Sequence, residues 1–147
     1  MRLRSLALAV LLAALCALAG GCAAPEKQSD SAQAPTGGAR VLLDGAAWDG
    51  NPVSPDAGGM RVYVTLDGAP LIDVPFSQAR TLTVVQTDGA ENIVRLTGDA
   101  VFMEEANCQN PDCVQMGEVT ADNLELRVLG GFIVCLPHRL SVEVRGD

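Results

Sequence analysis

The chain has 147 residues, with 10 basic against 18 acidic side chains and a formal net charge of −8 at pH 7. An acidic surface repels phosphate backbones, which argues against nucleic acid as a partner. The five aromatic residues, Trp48, Tyr63, Phe76, Phe102 and Phe132, are scattered and offer no base-stacking platform.

Arg2 and Arg4 form a short basic region, Leu6 to Leu18 an apolar run without a charge, and Ala19-Gly20-Gly21 a small-residue segment ahead of Cys22. That order reads as a secretory signal. The run is short for a permanent span, which needs about 20 apolar residues. Gly20-Gly21-Cys22 resembles the lipobox of bacterial lipoproteins, whose cysteine is lipidated and becomes the first residue of the mature chain. Residues 1–21 are thus expected to be a lipoprotein signal peptide and Cys22 the lipid attachment site. The protein would then sit on the cell membrane, facing outside the cytosol. The alternative is cleavage after Ala23 or Ala24 and release as a secreted protein. Without residues 1–21, 8 basic residues face 18 acidic ones, a net charge of −10. Residues 22–39 are Ala, Pro, Ser, Gln, Gly and charges without periodicity, a flexible tether. Residues 40–147 remain as a single small domain.

The domain opens on a loop-like lead-in with Trp48 and Asn51-Pro52, where Trp48 is expected to plug one end of the core. Arg61 to Leu66 alternates, with Val62, Val64 and Leu66 on one face, and Asp67-Gly68 follows as a hairpin signal. Leu71 to Phe76 returns, and Pro70 and Pro75 assign it to an edge or a bulge. Thr81 to Thr87 and Asn92 to Leu96 flank a second signal, Asp88-Gly89, and Thr97-Gly98-Asp99 turns the chain toward Ala100 to Glu104. Glu104 and Glu105 are adjacent and read as a solvated edge. Leu124, Leu126 and Val128 alternate with polar residues and predict a further strand. After Gly130-Gly131, the nearly all-apolar Phe132 to Leu136 predicts a central strand. Leu140, Val142 and Val144 alternate at the C-terminus. No 3.6-residue period runs for ten residues outside the signal. The fold class is therefore all-β, a small antiparallel β-sandwich or barrel-like domain.

Three cysteines and the only histidine gather toward the C-terminus of this domain. Four residues separate Cys108 from Cys113, twenty-one separate Cys113 from Cys135, and Cys135-Leu136-Pro137-His138 follows. In an oxidising compartment the default is one disulfide and one spare thiol. Loop closure contributes about 2 kcal/mol for Cys108–Cys113 and about 3.4 kcal/mol for Cys113–Cys135, too close to decide the pairing. Pro111 makes the short loop a turn and favours Cys108–Cys113, with Cys135 left free in the core and His138 exposed in a turn. A second reading makes Cys108, Cys113, Cys135 and His138 four ligands of zinc, or of an iron–sulfur cluster. A Rieske-type cluster needs a second histidine, which this chain lacks. A third makes one cysteine a nucleophile with His138 as its base. No phosphate-binding glycine loop follows a strand into a helix, and Asp44, Asp49 and Asp56 lack EF-hand spacing.

Asn92-Ile93-Val94, Glu105-Ala106-Asn107-Cys108, Cys113-Val114-Gln115-Met116-Gly117 and Ile133-Val134-Cys135-Leu136-Pro137-His138-Arg139-Leu140 occur in order. Together they resemble the NusG domain II family over roughly residues 58–146. The family is named after a domain inserted in some bacterial NusG transcription factors, and it also occurs alone in short exported or lipid-anchored proteins. The resemblance implies a small all-β domain and no general catalytic role; transcription belongs to other domains of NusG. The expected function is a non-catalytic binding or accessory module for another envelope protein, without a cofactor. The alternative is a redox or electron-transfer accessory using Cys108, Cys113 and Cys135 as a thiol pair or metal site. No small-molecule ligand is specified.

Overall fold

A computed structural model describes residues 38–55 and 57–146. The signal segment, Cys22, most of the tether and Asp56 lie outside the described residues. Among the described residues no helix is long and apolar enough to cross a membrane.

Among the described residues ten strands build two antiparallel sheets. They are β1 (Ala39–Leu43), β2 (Ala46–Ala47), β3 (Arg61–Leu66), β4 (Ala69–Pro75), β5 (Arg80–Gln86), β6 (Glu91–Leu96), β7 (Ala100–Ala106), β8 (Val119–Thr120), β9 (Phe132–Cys135) and β10 (Leu140–Arg145). One short helix, α1 (Asp112–Gln115), interrupts them. The larger sheet has the order β2-β1-β5-β6-β7-β8 and the smaller β4-β3-β10-β9. The two sheets form a sandwich, not a closed barrel. In β3, β5, β6 and β10 alternate side chains turn inward, and the inward set is Val and Leu except for Gln86 and Asn92. Val62, Val84, Val94, Leu82, Ile133 and Leu140 are fully buried, each contributing about 1.5–3 kcal/mol on leaving water.

The hairpin signals act through backbone angle. Asp67 and Gly68 have φ of 51° and 78°, the left-handed pair that a two-residue turn between twisted strands requires. Asp44 and Gly45, at 52° and 83°, form the same turn between β1 and β2, a hairpin absent from the expected lead-in. At 86–90 the turn differs: Gly89 N–H bonds Gln86 O and Gln86 N–H bonds Ala90 O, with only Gly89 at positive φ, a longer loop with a glycine bulge. β4 is an edge strand and also carries a bulge: Val64 pairs Ile72 while Thr65 pairs Pro70. Leu71 is the extra residue, so Leu71 and Ile72 are both buried although adjacent.

Two strand expectations fail for identifiable reasons. Residues 121–131 are successive turns. Asn123 accepts Leu126 N–H and Arg127 N–H on its carbonyl, and its side chain bonds Thr120 N and Glu118 O. This local bonding competes with a ladder. Of the three alternating residues only Leu124 packs on the core; Leu126 and Val128 are 84% and 101% exposed. Phe132–Cys135 is an edge strand rather than the centre of its sheet, and ends one residue early. Its apolar run has another cause: Ile133 and Cys135 enter the core, while Val134 N–H points at Met116 Sδ, 3.4 Å away. The central pair is β3–β10, in register from Leu66↔Leu140 to Arg61↔Arg145.

The loop before β3 is tied down by Arg61, which is buried. Its guanidinium donates to Asp73 Oδ2 (2.8 Å), Ser54 O (3.1 Å) and Val53 O (3.0 Å). Trp48 is half-buried against the core, in keeping with a plug, and its indole N–H donates to Asn51 O at 2.8 Å. Glu104, the extra residue of a bulge opposite Ile93/Val94, makes two bonds to Arg95 rather than standing free.

Candidate functional site: a thiol and imidazole cluster

The ends of three elements place the cysteines together. Cys108 follows the last residue of β7 by two positions, Cys113 lies on α1, and Cys135 ends β9. Cys113 and Cys135 are 2% and 1% exposed, and Cys108 is half-buried. All three are free thiols. The expected Cys108–Cys113 bridge is not the pairing found: Cys135 Sγ lies 3.9 Å from Cys108 Sγ, and Cys108 Sγ donates to Asn110 O at 3.3 Å. A disulfide holds its sulfurs at about 2.05 Å. α1 explains the arrangement, because Val114 N–H bonds Pro111 O and Met116 N–H bonds Asp112 O. The turn expected at Pro111 is thus a helical one, and it carries Cys113 into the core.

His138 is the second correction. It is buried at 8% exposure rather than exposed in its turn. Arg139, at φ 55°, closes that turn with its N–H on Leu136 O. Gln86 Nε2 donates to His138 O at 2.8 Å from the larger sheet. His138 Nδ1 lies 2.8 Å from Asn92 Oδ1, and Asn92 Nδ2 donates to Met103 Sδ at 3.5 Å. With its nitrogen turned to Met103, Asn92 presents an acceptor to His138. Nδ1 therefore donates to Asn92, and in the neutral ring Nε2 is the nitrogen with the lone pair.

Among the described residues, Cys108, Cys135 and His138 form a group whose ligand atoms lie within 4.8 Å of one another. Three of the four residues singled out by spacing are thus together. Cys113 interacts electrostatically with the two other thiols and stands outside that three-atom group. Asn92 was not anticipated. Its signal was in the sequence: it shares the inward phase of Val94 and Leu96, and a buried amide requires partners.

The Cys108 and Cys113 sulfurs hold their protons. Burial pushes the Cys108 thiol up, and contact with Cys135 adds to the shift. Burial pushes Cys113 up to about 12, with Cys135 again the next cause. Such thiols are weak nucleophiles at neutral pH, because the thiolate is the reactive form.

Three of the hollows at the surface of the described residues are notable. A crevice of about 180 Å³ beside the cluster is lined by Asn110, Asp112, Cys113, Cys135 and the Leu136-Pro137 turn. A concavity of about 570 Å³ is formed by Met116, Leu126, Arg127, Val128 and Leu129. A third, of about 460 Å³, lies over Tyr63, with Trp48 and Pro70 on its walls and Arg145 3.8 Å above the Tyr63 ring.

A two-sheet antiparallel sandwich with a buried thiol–imidazole cluster is the class that fold and site define. The family model for NusG domain II matches residues 52–147, and the chain belongs to that family. The β1–β2 hairpin precedes the matched span. A comparison with curated proteins finds no match. Among solved structures, a DUF1312 family protein from Enterococcus faecalis is similar at 22% identity and a TM-score of 0.52, over 60% of this chain and 98% of that one. The Lin0431 protein from Listeria innocua is similar at 21% identity and a TM-score of 0.52, over 60% and 98%. At these identities the likeness is one of fold.

Proposed function

We propose that the chain is an exported protein, lipid-anchored through Cys22, acting as a non-catalytic accessory module that docks another envelope protein. The observation that supports a docking role is the rim at 126–129. Leu126, Val128 and Leu129 are 84%, 101% and 47% exposed. Such exposure is costly unless a partner covers it, at about 25 cal/mol per Å² of apolar surface. The rim is also held in one shape. Arg127 donates to Gly130 O, Met116 O, Glu118 O and Phe132 O, fixing the backbone between the exposed side chains. Preorganisation of this kind reduces the entropy cost of association. Glu118, Asp122 and Glu125 are exposed around it, and the mature chain is acidic. This favours an apolar protein segment with basic flanks over an anionic lipid surface.

A photo-crosslinking residue at Val128, introduced in intact cells, is expected to give one discrete protein adduct. Leu126→Asp should abolish that adduct while leaving stability within about 0.5 kcal/mol. In the same cells Cys22→Ala should move the protein from the membrane to the soluble fraction. An adduct pattern unchanged by Leu126→Asp sinks the docking role. A second reading, a thiol or metal accessory, is supported by the sulfur pair 3.9 Å apart.

A further inference from the structure

We propose that Cys108, Cys135 and His138 form a binding site for a thiophilic d10 cation, Zn²⁺ or Cu⁺, with Cys113 positioned as a fourth donor. The inference deepens the second reading above and rests on it; the docking rim is independent of it.

Four observations carry the site. First, the donor types are soft: two thiols and an imidazole, with a third, buried thiol on α1 lining the same crevice as Cys135. Second, the spacing fits. Two thiolates on one tetrahedral zinc, at about 2.3 Å each, stand about 3.8 Å apart. Cys108 and Cys135 stand at 3.9 Å, and a ring nitrogen of His138 is within 4.8 Å of both sulfurs. Third, the imidazole is prepared. Metal-bound histidines direct their second nitrogen at a carbonyl or carboxylate, which fixes tautomer and ring orientation. Asn92, buried and itself oriented by Met103, does this for Nδ1 and leaves the Nε2 lone pair to a cation. Fourth, the site has a way in. The crevice reaches Cys113 and Cys135 from solvent, and Asp112 at its rim supplies a negative charge.

Binding is balanced by protons. A divalent ion taking two thiolates and one neutral imidazole displaces one proton from each thiol; recruitment of Cys113 displaces a third. No electron changes hands. Two donor thiolates and one imidazole suit trigonal Cu⁺, and the recruited third thiolate completes a tetrahedral zinc site.

The test uses the full chain carrying Cys16→Ser and Cys22→Ser, so that only the three domain thiols remain. It is purified in reductant without oxygen and dialysed against Zn²⁺ or Cu⁺. About one ion per chain is expected, with release of about two protons, or about three for zinc when Cys113 joins. X-ray absorption should show a mixed shell, sulfur at about 2.3 Å and nitrogen at about 2.0 Å for zinc. Asn92→Ala should weaken affinity by about 10–100-fold while the shell keeps its nitrogen. Cys108→Ser, at the half-exposed position where folding tolerates change, should remove one sulfur from the shell. The proposal is overturned by less than a tenth of an equivalent bound in the folded, reduced chain, or by a sulfur-only shell. It is also overturned if no ion binds while Cys108 and Cys135 form a reversible disulfide. In that last case the thiol-accessory reading survives without the metal. Saturation favouring Zn²⁺ or Cu⁺ in competition assigns the ion.

Discussion

At position 92 an asparagine occupies a place where the alternation of β6 puts an apolar side chain, and its cost is offset by two buried contacts. One of them, to His138, orients the imidazole; the other, to Met103, orients the asparagine. The thiols beside it are governed by burial. The sign of the Cys113 shift sets a pH dependence in the metal-free, reduced chain. Below about pH 9 the thiol is protonated in both folded and unfolded states, and stability does not depend on it. From 9.0, the ordinary value, to about 12 the unfolded chain loses the proton and the folded chain keeps it. Stability therefore falls as pH rises through that window, by up to about 1.4 kcal/mol per pH unit. Urea midpoints measured from about pH 8 to 11, with chelator present, should show this slope, and Cys113→Ala should flatten it. The residue types of the site were legible from spacing, because Cys and His are few and close in the chain. Their burial was not, because α1 and the turn at Pro137 are set by local backbone bonding that carries no periodic signal.

Among the elements, the segment between β8 and β9 shows how far periodicity can mislead. Leu124, Leu126 and Val128 alternate as a strand does, yet Asn123 and Arg127 spend their hydrogen-bonding capacity on nearby carbonyls and N–H groups. The same segment ends at a close approach. A Cβ on Gly131 would lie 2.2 Å from Val144 O, where Val144 N–H bonds Gly131 O at 2.9 Å. Gly131→Ala should therefore force β9 away from β10 and cost about 1–3 kcal/mol in urea unfolding. Gly68→Ala meets no atom within 4 Å and should cost about 1–2 kcal/mol through its positive φ alone. A Gly131→Ala chain as stable as the parent would refute the packing argument. The Asp-Gly turns at 67–68 and 88–89 were readable because their chemistry is local. The β1–β2 hairpin carried the same Asp44-Gly45 signal and was passed over, since only two residues, Ala46 and Ala47, follow as a strand.

For the whole molecule, the alternation of Val and Leu at period two was enough to define an antiparallel sandwich, and the two sheets bear it out. Which strands are central depends on pairings between distant segments, and local pattern does not contain them. β10 pairs β3 across more than half the domain, in register over six residues. Deleting residues 140–147 leaves β3 with one neighbour and uncovers Ile133, Val62 and Val64. The truncated chain should lose its cooperative urea transition; a retained transition would show that the larger sheet folds alone. The same pairing has a consequence for timing. The last of the described strands, β10, lies inside the smaller sheet, so that sheet cannot close before β10 is made. Until residue 145 has emerged, β3 and β4 form only a marginal two-stranded hairpin. A chain emerging amino end first thus has an incomplete smaller sheet until β10 follows. Throughout that interval the three thiols remain open to whatever ion or oxidant they first meet.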